Sequence, residues 1–404
     1  MSGFGFTGDG FGNEEGKGMP DLGALFTQLG KMFSGEPGAL PESTIRDIAR
    51  GQLGNDRYIG HIDLAEVTEA LNLADLWIND TTAFPSALRT PKAWSKADWV
   101  ESTMAGWMSL VAPMSKSLTD GLTKTLTESQ VDGIDLSAIS SGPLAGVFQQ
   151  MTGMLLAQQV GGTVAAVAKI TTGSADTSLP LAADGVAALI PTNVNEWGEG
   201  LGIEMRDVRL FLALREIAGT RLLAEVPWLR GRLTDAVTAY GSGIQIDVQA
   251  ISDQAMDVMN ALQEGADPRS LFTPATTPAQ ELALTQLETL LALFEGWVNH
   301  VVHLAIAERL PSHVALEESS RRKRVSHNPT TTVFQSLVGL EVSPRLSREA
   351  THFWNVALDL KGLEGRDELW SHPDLLPAAL EMQDPAAFLS STSAPDDLSG
   401  LDPA

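Results

Sequence analysis

The chain has 404 residues and carries 27 Lys and Arg against 51 Asp and Glu, a formal charge of −24. Dense Lys and Arg are needed to bind phosphate backbones or anionic lipids, so we expect no nucleic-acid partner and no attraction to a membrane surface. The absence of cysteine removes disulfides, thiolate zinc sites and cysteine nucleophiles, and it fits the cytoplasm, where we place the protein. Hydrophobic residues make up 43% of the chain, enough for a large buried core.

Composition divides the chain into three parts. Residues 1–40 are predicted to form a flexible, Gly-rich arm, and residues 391–404 an acidic, disordered tail. Residues 41–390 are predicted to form one large, mainly helical body. The longest uncharged stretch, 136–168, is broken by Ser, Gln, Gly and Pro, whereas a spanning helix needs about 20 predominantly apolar residues, so no membrane insertion is expected.

Apolar residues recur at three- and four-residue steps along most of the body, which is the pattern of amphipathic helices. Pro227 and Pro278 stand at first-turn positions and mark two helix starts. Alternating strand patterns are scarce, and Gly243–Val248 is the best candidate. The prediction is a mainly α fold with little strand, and its helices cover residues 43–53, 64–78, 95–119, 144–170, 208–223, 228–241, 278–309, 312–324 and 347–360.

A short basic cluster, Arg321–Arg324, stands near the predicted end of one of these helices. Cations at a helix C-terminus complement the helix dipole, and such side chains are normally solvated. We therefore interpret the cluster as exposed surface.

The most informative segment is the predicted helix from Val208 to Leu223. In zinc peptidases, two His placed four residues apart on one helix face bind the metal, and the Glu after the first His acts as general base. This chain has Glu216 in that place, but Arg215 and Gly219 stand where the two His would be. Arg cannot be deprotonated to bind a metal, and Gly offers no ligand.

Segments along nearly the whole chain resemble the actinobacterial family of zincin-like hydrolases and zinc-dependent metalloproteases. They are GFGF at 3–6, LADLWINDTTAFP at 73–85, AWSKADWVEST at 93–103, LREIAGTRLLAEVPWLR at 214–230, FEGWVNHVV at 294–302, LVGLEVSPRLSREATHFW at 337–354 and GLEGRDELWSHPDLLP at 362–377.

The resemblance implies a zincin-like, helical metalloprotease-type fold. It also implies that Arg215, Glu216 and Gly219 match a His-Glu-x-x-His motif, and that Glu295 matches an acidic third ligand further along the chain. With both His replaced, the motif is degenerate, so we expect no cofactor and no metal. We expect the guanidinium of Arg215 to lie in the old metal space and to pair with Glu295, Glu216 or both.

Two further histidines stand close to Glu295 in sequence. His300 and His303 lie on the same predicted helix, one turn or more beyond it. At about 100° per residue, Glu295 and His303 are roughly 80° apart around the axis and His300 is about 140° away, a poor three-ligand face. We interpret both as ordinary helix histidines and keep them as nearby candidates.

Three functions remain open. The first is a non-catalytic family member that binds a peptide or protein partner, with Glu216 as a vestigial catalytic residue. The second is an active metal-dependent hydrolase or peptidase that binds zinc through unusual ligands. The third is a structural or assembly protein whose acidic surface serves solubility. The sequence indicates neither a substrate nor an oligomeric state.

Overall fold

The structure, a computed structural model, describes residues 41–128, 143–242, 278–338 and 346–391. These residues all belong to one compact unit, Gly38–Ala404. The predicted arm, the strand candidate 243–248 and residues 392–404 of the predicted tail lie outside the described residues.

The described residues form a mainly α fold with very little strand, which confirms the predicted fold class. Every helix predicted from the sequence is present, and three short helices that begin with Pro were not predicted. The helices are α1 Glu42–Leu53, α2 His61–Ile78, α3 Lys96–Glu128, α4 Pro143–Ile170, α5 Pro191–Gly198, α6 Met205–Glu225, α7 Pro227–Ser242, α8 Pro278–Ile306, α9 His313–Ser326, α10 Pro329–Val338, α11 Leu346–Glu368 and α12 Pro385–Ser391, with single 3₁₀ turns at Leu369–Ser371, Pro373–Leu375 and Glu381–Gln383.

Helix α8 lies at the centre and packs against α6, α7 and α11. Leu287, Leu291, Phe294, Val298 and Val301 are buried along it at three- and four-residue steps, so its apolar stripe faces the core. By length and composition, Gln280–Ile306 could cross a membrane, but 72% of its most apolar window is buried inside the protein. Such burial is typical of the core helix of a soluble protein.

Two short strands form the one sheet in the described part of the chain. Strand β1, Lys92–Ala93, pairs in parallel with β2, Ala188–Leu189. Gly173 forms an isolated antiparallel bridge with Leu189 on β2. These pairings hold the segment after α4 beside β2, directly over α6.

Candidate functional site

Helix α6 is buried almost continuously from Val208 to Leu222. A helix that is apolar all round suits such a position, yet this one carries two adjacent charged residues into the core. Arg215 is 8% exposed and Glu216 is 3% exposed. Because charged side chains are almost never buried without partners, the partners of these two residues define what the site can do.

The carboxylate of Glu216 is held by backbone amides. Its Oε1 accepts hydrogen bonds from the amides of Ser174 and Ala188, both at 3.0 Å, and its Oε2 accepts one from the amide of Ala175 at 2.9 Å. The Ser174 hydroxyl also contacts Oε1. A Cβ on Gly173 would lie 2.3 Å from Oε2, so only glycine permits this close approach. Glu216 therefore links α6 to β2 and to the segment after α4.

Burial raises the pKa of Glu216 to about 7. The hydrogen bonds from the Ser174 hydroxyl and the three backbone amides lower this pKa, but burial outweighs them. The Ser174 hydroxyl also lies 3.0 Å from the carbonyl oxygen of Val186. Since a hydroxyl has one hydrogen, Ser174 can donate to Val186 and accept from a protonated Glu216. Both protonation states of Glu216 therefore have hydrogen-bond partners.

The raised pKa of Glu216 predicts a specific pH dependence of stability. Because the pKa in the folded protein exceeds that of an unfolded Glu, the stabilisation is complete below the unfolded pKa and is lost as pH rises through about 7. Between pH 5 and pH 8, the wild type should lose up to about 3 kcal/mol more unfolding free energy than Glu216→Gln. Urea unfolding of both proteins at the two pH values measures this difference, and equal losses would contradict it.

Arg215 points away from Glu216 and towards α8. Its Nη2 forms an ion pair with Oε1 of Glu295, and its Nη1 donates to Oδ1 of Asn299 at 2.5 Å. The side chains of Arg215 and Glu295 are 7% and 15% exposed. The structure therefore has the pairing with Glu295 that the sequence suggested, while Glu216 takes no part in it.

Glu295 has a second cationic neighbour. Nε of Arg324 on α9 lies 3.4 Å from its Oε1, and Nη2 of Arg324 lies 2.5 Å from Oδ1 of Asp176. Arg324 also donates to the carbonyl of Asp176 at 2.9 Å. We call Arg215, Glu295, Arg324 and Asp176 the buried charge cluster.

The two acids of the cluster are held ionised. Burial disfavours the charged form of Glu295, but attraction by Arg215 and Arg324 outweighs burial and holds its pKa below the ordinary value. Burial acts on Asp176 in the same way, and Arg324, together with the amide of Thr172, lowers its pKa. Two guanidiniums and two carboxylates thus neutralise one another.

Arg324 corrects our interpretation of the basic cluster 321–324 as exposed surface. Arg321 and Arg322 are exposed and pair with Glu318 on their own helix, as expected of solvated residues. Arg324 is largely buried. Arg324 lies four residues after Ser320 and eight residues after Leu316, and both of these residues are buried. Residues at this spacing share one helix face, so the spacing was the sequence signal for the burial of Arg324.

The space beside Gly219 is filled. A Cβ added at this position would lie 3.0 Å from the Cβ of Ala175 and 3.4 Å from a ring carbon of Phe294. Ala175 cannot easily withdraw, because its amide is hydrogen-bonded to Glu216. A larger side chain at position 219 would therefore need a rearrangement of the segment that Glu216 holds.

His300 and His303 are directed to different neighbours. Nδ1 of His300 lies 2.5 Å from Oδ1 of Asn355 on α11, and burial lowers the pKa of His300 to about 4. Nδ1 of His303 lies 2.8 Å from Oε1 of Glu317 on α9. Neither interaction joins these histidines to the charge cluster around Glu295.

The fold and the site together define a mainly helical, zincin-like protein. The family model of the zincin-like metallopeptidases matches residues 41–389, and the chain belongs to this family. A crystal structure described as "a putative hydrolase with a novel fold from Chloroflexus aurantiacus" is similar in fold, with a TM-score of 0.61 and 17% sequence identity over 87% of this chain and 98% of that chain. A comparison with curated proteins finds no match.

A metallopeptidase family implies a zinc ion, which the residues of this site do not fit. A catalytic zinc needs three protein ligands and an open position for water. Within the described ranges, no group of three His, Asp or Glu could hold a metal. Two guanidiniums pair with Glu295, and backbone amides and a hydroxyl donate hydrogen bonds to Glu216. Gly219 has no side chain that could bind a metal.

Proposed function

We propose that this protein is a non-catalytic member of the zincin-like family that binds a peptide or protein partner. In this proposal, Arg215, Glu216 and Gly219 are the degenerate counterpart of a His-Glu-x-x-His motif, and Glu295 stands where the third ligand would be. The observation that carries the proposal is the buried ion pair between Arg215 and Glu295. A fixed positive charge at this point repels a divalent cation.

The position of Glu216 supports the loss of catalysis. A general base must lie within hydrogen-bond reach of the water that it activates. Each oxygen of Glu216 already accepts a backbone hydrogen bond, and Glu216 lines neither the cavity beside Arg215 and Arg324 nor the cavity beside Ser174 and Arg230. Glu216 is thus a structural residue in this proposal.

An active metal-dependent hydrolase is the second candidate, and one observation favours it. The pKa of Glu216, about 7, lies in the range in which a general base works well. In this alternative, zinc would bind through an unusual ligand set. Under either function we place the protein in the cytoplasm, because the lack of cysteine favours a reducing compartment.

A cleavage assay separates the two candidates. The full-length protein is incubated with a mixed peptide library, with and without added zinc, and the products are read by mass spectrometry. We expect no cleavage under either condition and retention of a subset of library peptides by the immobilised protein. Zinc-dependent cleavage that is lost in Glu216→Gln but kept in Glu225→Gln, an exposed control on the same helix, would overturn the proposal.

A further inference from the structure

A cavity of about 140 Å³ lies directly beside the buried charge cluster. Arg215, Arg324 and Asp176 form part of its wall, and Lys169 and Lys323 also line it. Lys169 is exposed, so this side of the cavity is in contact with solvent. This volume is smaller than the roughly 300–1,000 Å³ of pockets that hold drug-sized ligands. The cavity therefore suits the end of a chain or a small molecule.

The charges around this cavity do not cancel. Arg215 and Arg324 are neutralised by Glu295 and Asp176. The other acid that lines the cavity, Glu196, lies 3.4 Å from Nζ of Lys96.

The ammonium groups of Lys169 and Lys323 remain, and neither has a carboxylate partner among the described residues. Lys323 is instead placed over the ring of Trp197, with its Nζ 5.4 Å from the ring centroid. Both cations lie at one cavity of a chain whose net charge is −24. They give it a local positive potential.

We infer that this cavity binds a carboxylate, namely the C-terminal carboxylate of a bound peptide. The ammonium groups of Lys169 and Lys323 supply the opposite charge, and Arg215 and Arg324 form part of the polar lining of the same cavity. The positive potential alone would attract either a carboxylate or a phosphate, and we choose the carboxylate because the proposed ligand is a peptide. The peptide in this inference rests on the proposed function, whereas the anion site does not.

Binding of two matched peptides tests the inference. The probes are N-acetyl-tetraalanine with a free C-terminal carboxylate and the same peptide as its C-terminal amide, with acetate and inorganic phosphate as competitors. Affinities for the full-length protein are measured by saturation-transfer NMR. We expect the free acid to bind at least about tenfold more tightly than the amide, and acetate to compete with it more effectively than phosphate does.

Two double variants provide the control. Lys169→Gln/Lys323→Gln should weaken binding of the free acid by about tenfold. Arg206→Gln/Arg232→Gln removes the same charge from two exposed residues that do not line the cavity, and it should leave binding unchanged.

Three outcomes would overturn the inference: equal binding of acid and amide, tighter binding of phosphate than of the acid, or no effect of the lysine variant. Equal binding of acid and amide would leave peptide binding, and thus the proposed function, intact. Cleavage of library peptides would refute the proposed function without affecting the anion site.

Discussion

Replacement of Glu216 by Ala is expected to lower the free energy of unfolding by about 4 kcal/mol. The variant leaves the amides of Ala175 and Ala188 buried without an acceptor, and it leaves the Ser174 amide only a 3.3 Å hydrogen bond to the carbonyl of Ala188. Each orphaned donor costs about 1–3 kcal/mol. The lost side-chain volume adds a cavity in the core. Urea denaturation followed by circular dichroism measures the change.

Two variants on the same helix test whether the effect comes from these hydrogen bonds. Glu225→Ala removes an exposed carboxylate from the end of α6 and should change stability by less than about 0.5 kcal/mol. Glu216→Gln keeps the shape but directs an NH₂ group at one buried amide, so at neutral pH it should cost about 1–3 kcal/mol. A Glu216→Ala variant as stable as Glu225→Ala would show that Glu216 does not hold the segment after α4.

The ion pair between Arg215 and Glu295 is expected to show strong coupling. Removing one partner leaves the other charge buried, so Arg215→Met and Glu295→Leu should each cost about 3 kcal/mol or more. The double variant replaces both charges by apolar groups and should be no less stable than either single variant. Unfolding free energies of the four proteins give the coupling, which we expect to be about 3 kcal/mol.

An exposed ion pair supplies the reference for this cycle. Arg206 and Glu69, whose side chains are 76% and 68% exposed, lie 3.4 Å apart, and such pairs contribute at most about 1 kcal/mol. The same cycle on this pair should therefore show little coupling. Additive effects of Arg215→Met and Glu295→Leu would contradict the ion pair as the basis of the site.

The fold could be predicted from the sequence because its signals are local. The three- and four-residue apolar steps of α8 reappear as a buried stripe, and Pro278 begins that helix. Helices α5, α10 and α12 were missed because they are only 7 to 10 residues long, too short for a clear period. The two-residue strands depend on tertiary pairing, which no local pattern encodes.

The site could be predicted only in part. The spacing of Arg215, Glu216 and Gly219 directed attention to α6, and the resemblance added Glu295. The role of Glu216 could not be foreseen, because the amides that donate to its carboxylate belong to a loop and a strand far away in sequence. Asp176 gave no signal, since it lies in an irregular segment and contributes only once Arg324 is brought beside it by the fold.

Metal analysis tests the central claim, that Arg215 takes the place of a catalytic cation. The purified, untagged chain is equilibrated with excess zinc, freed of unbound metal and analysed by inductively coupled plasma mass spectrometry. We predict well below one zinc per chain, and the same content in Glu295→Gln. One tightly held zinc per chain in the wild type, lost in Glu295→Gln, would contradict the account.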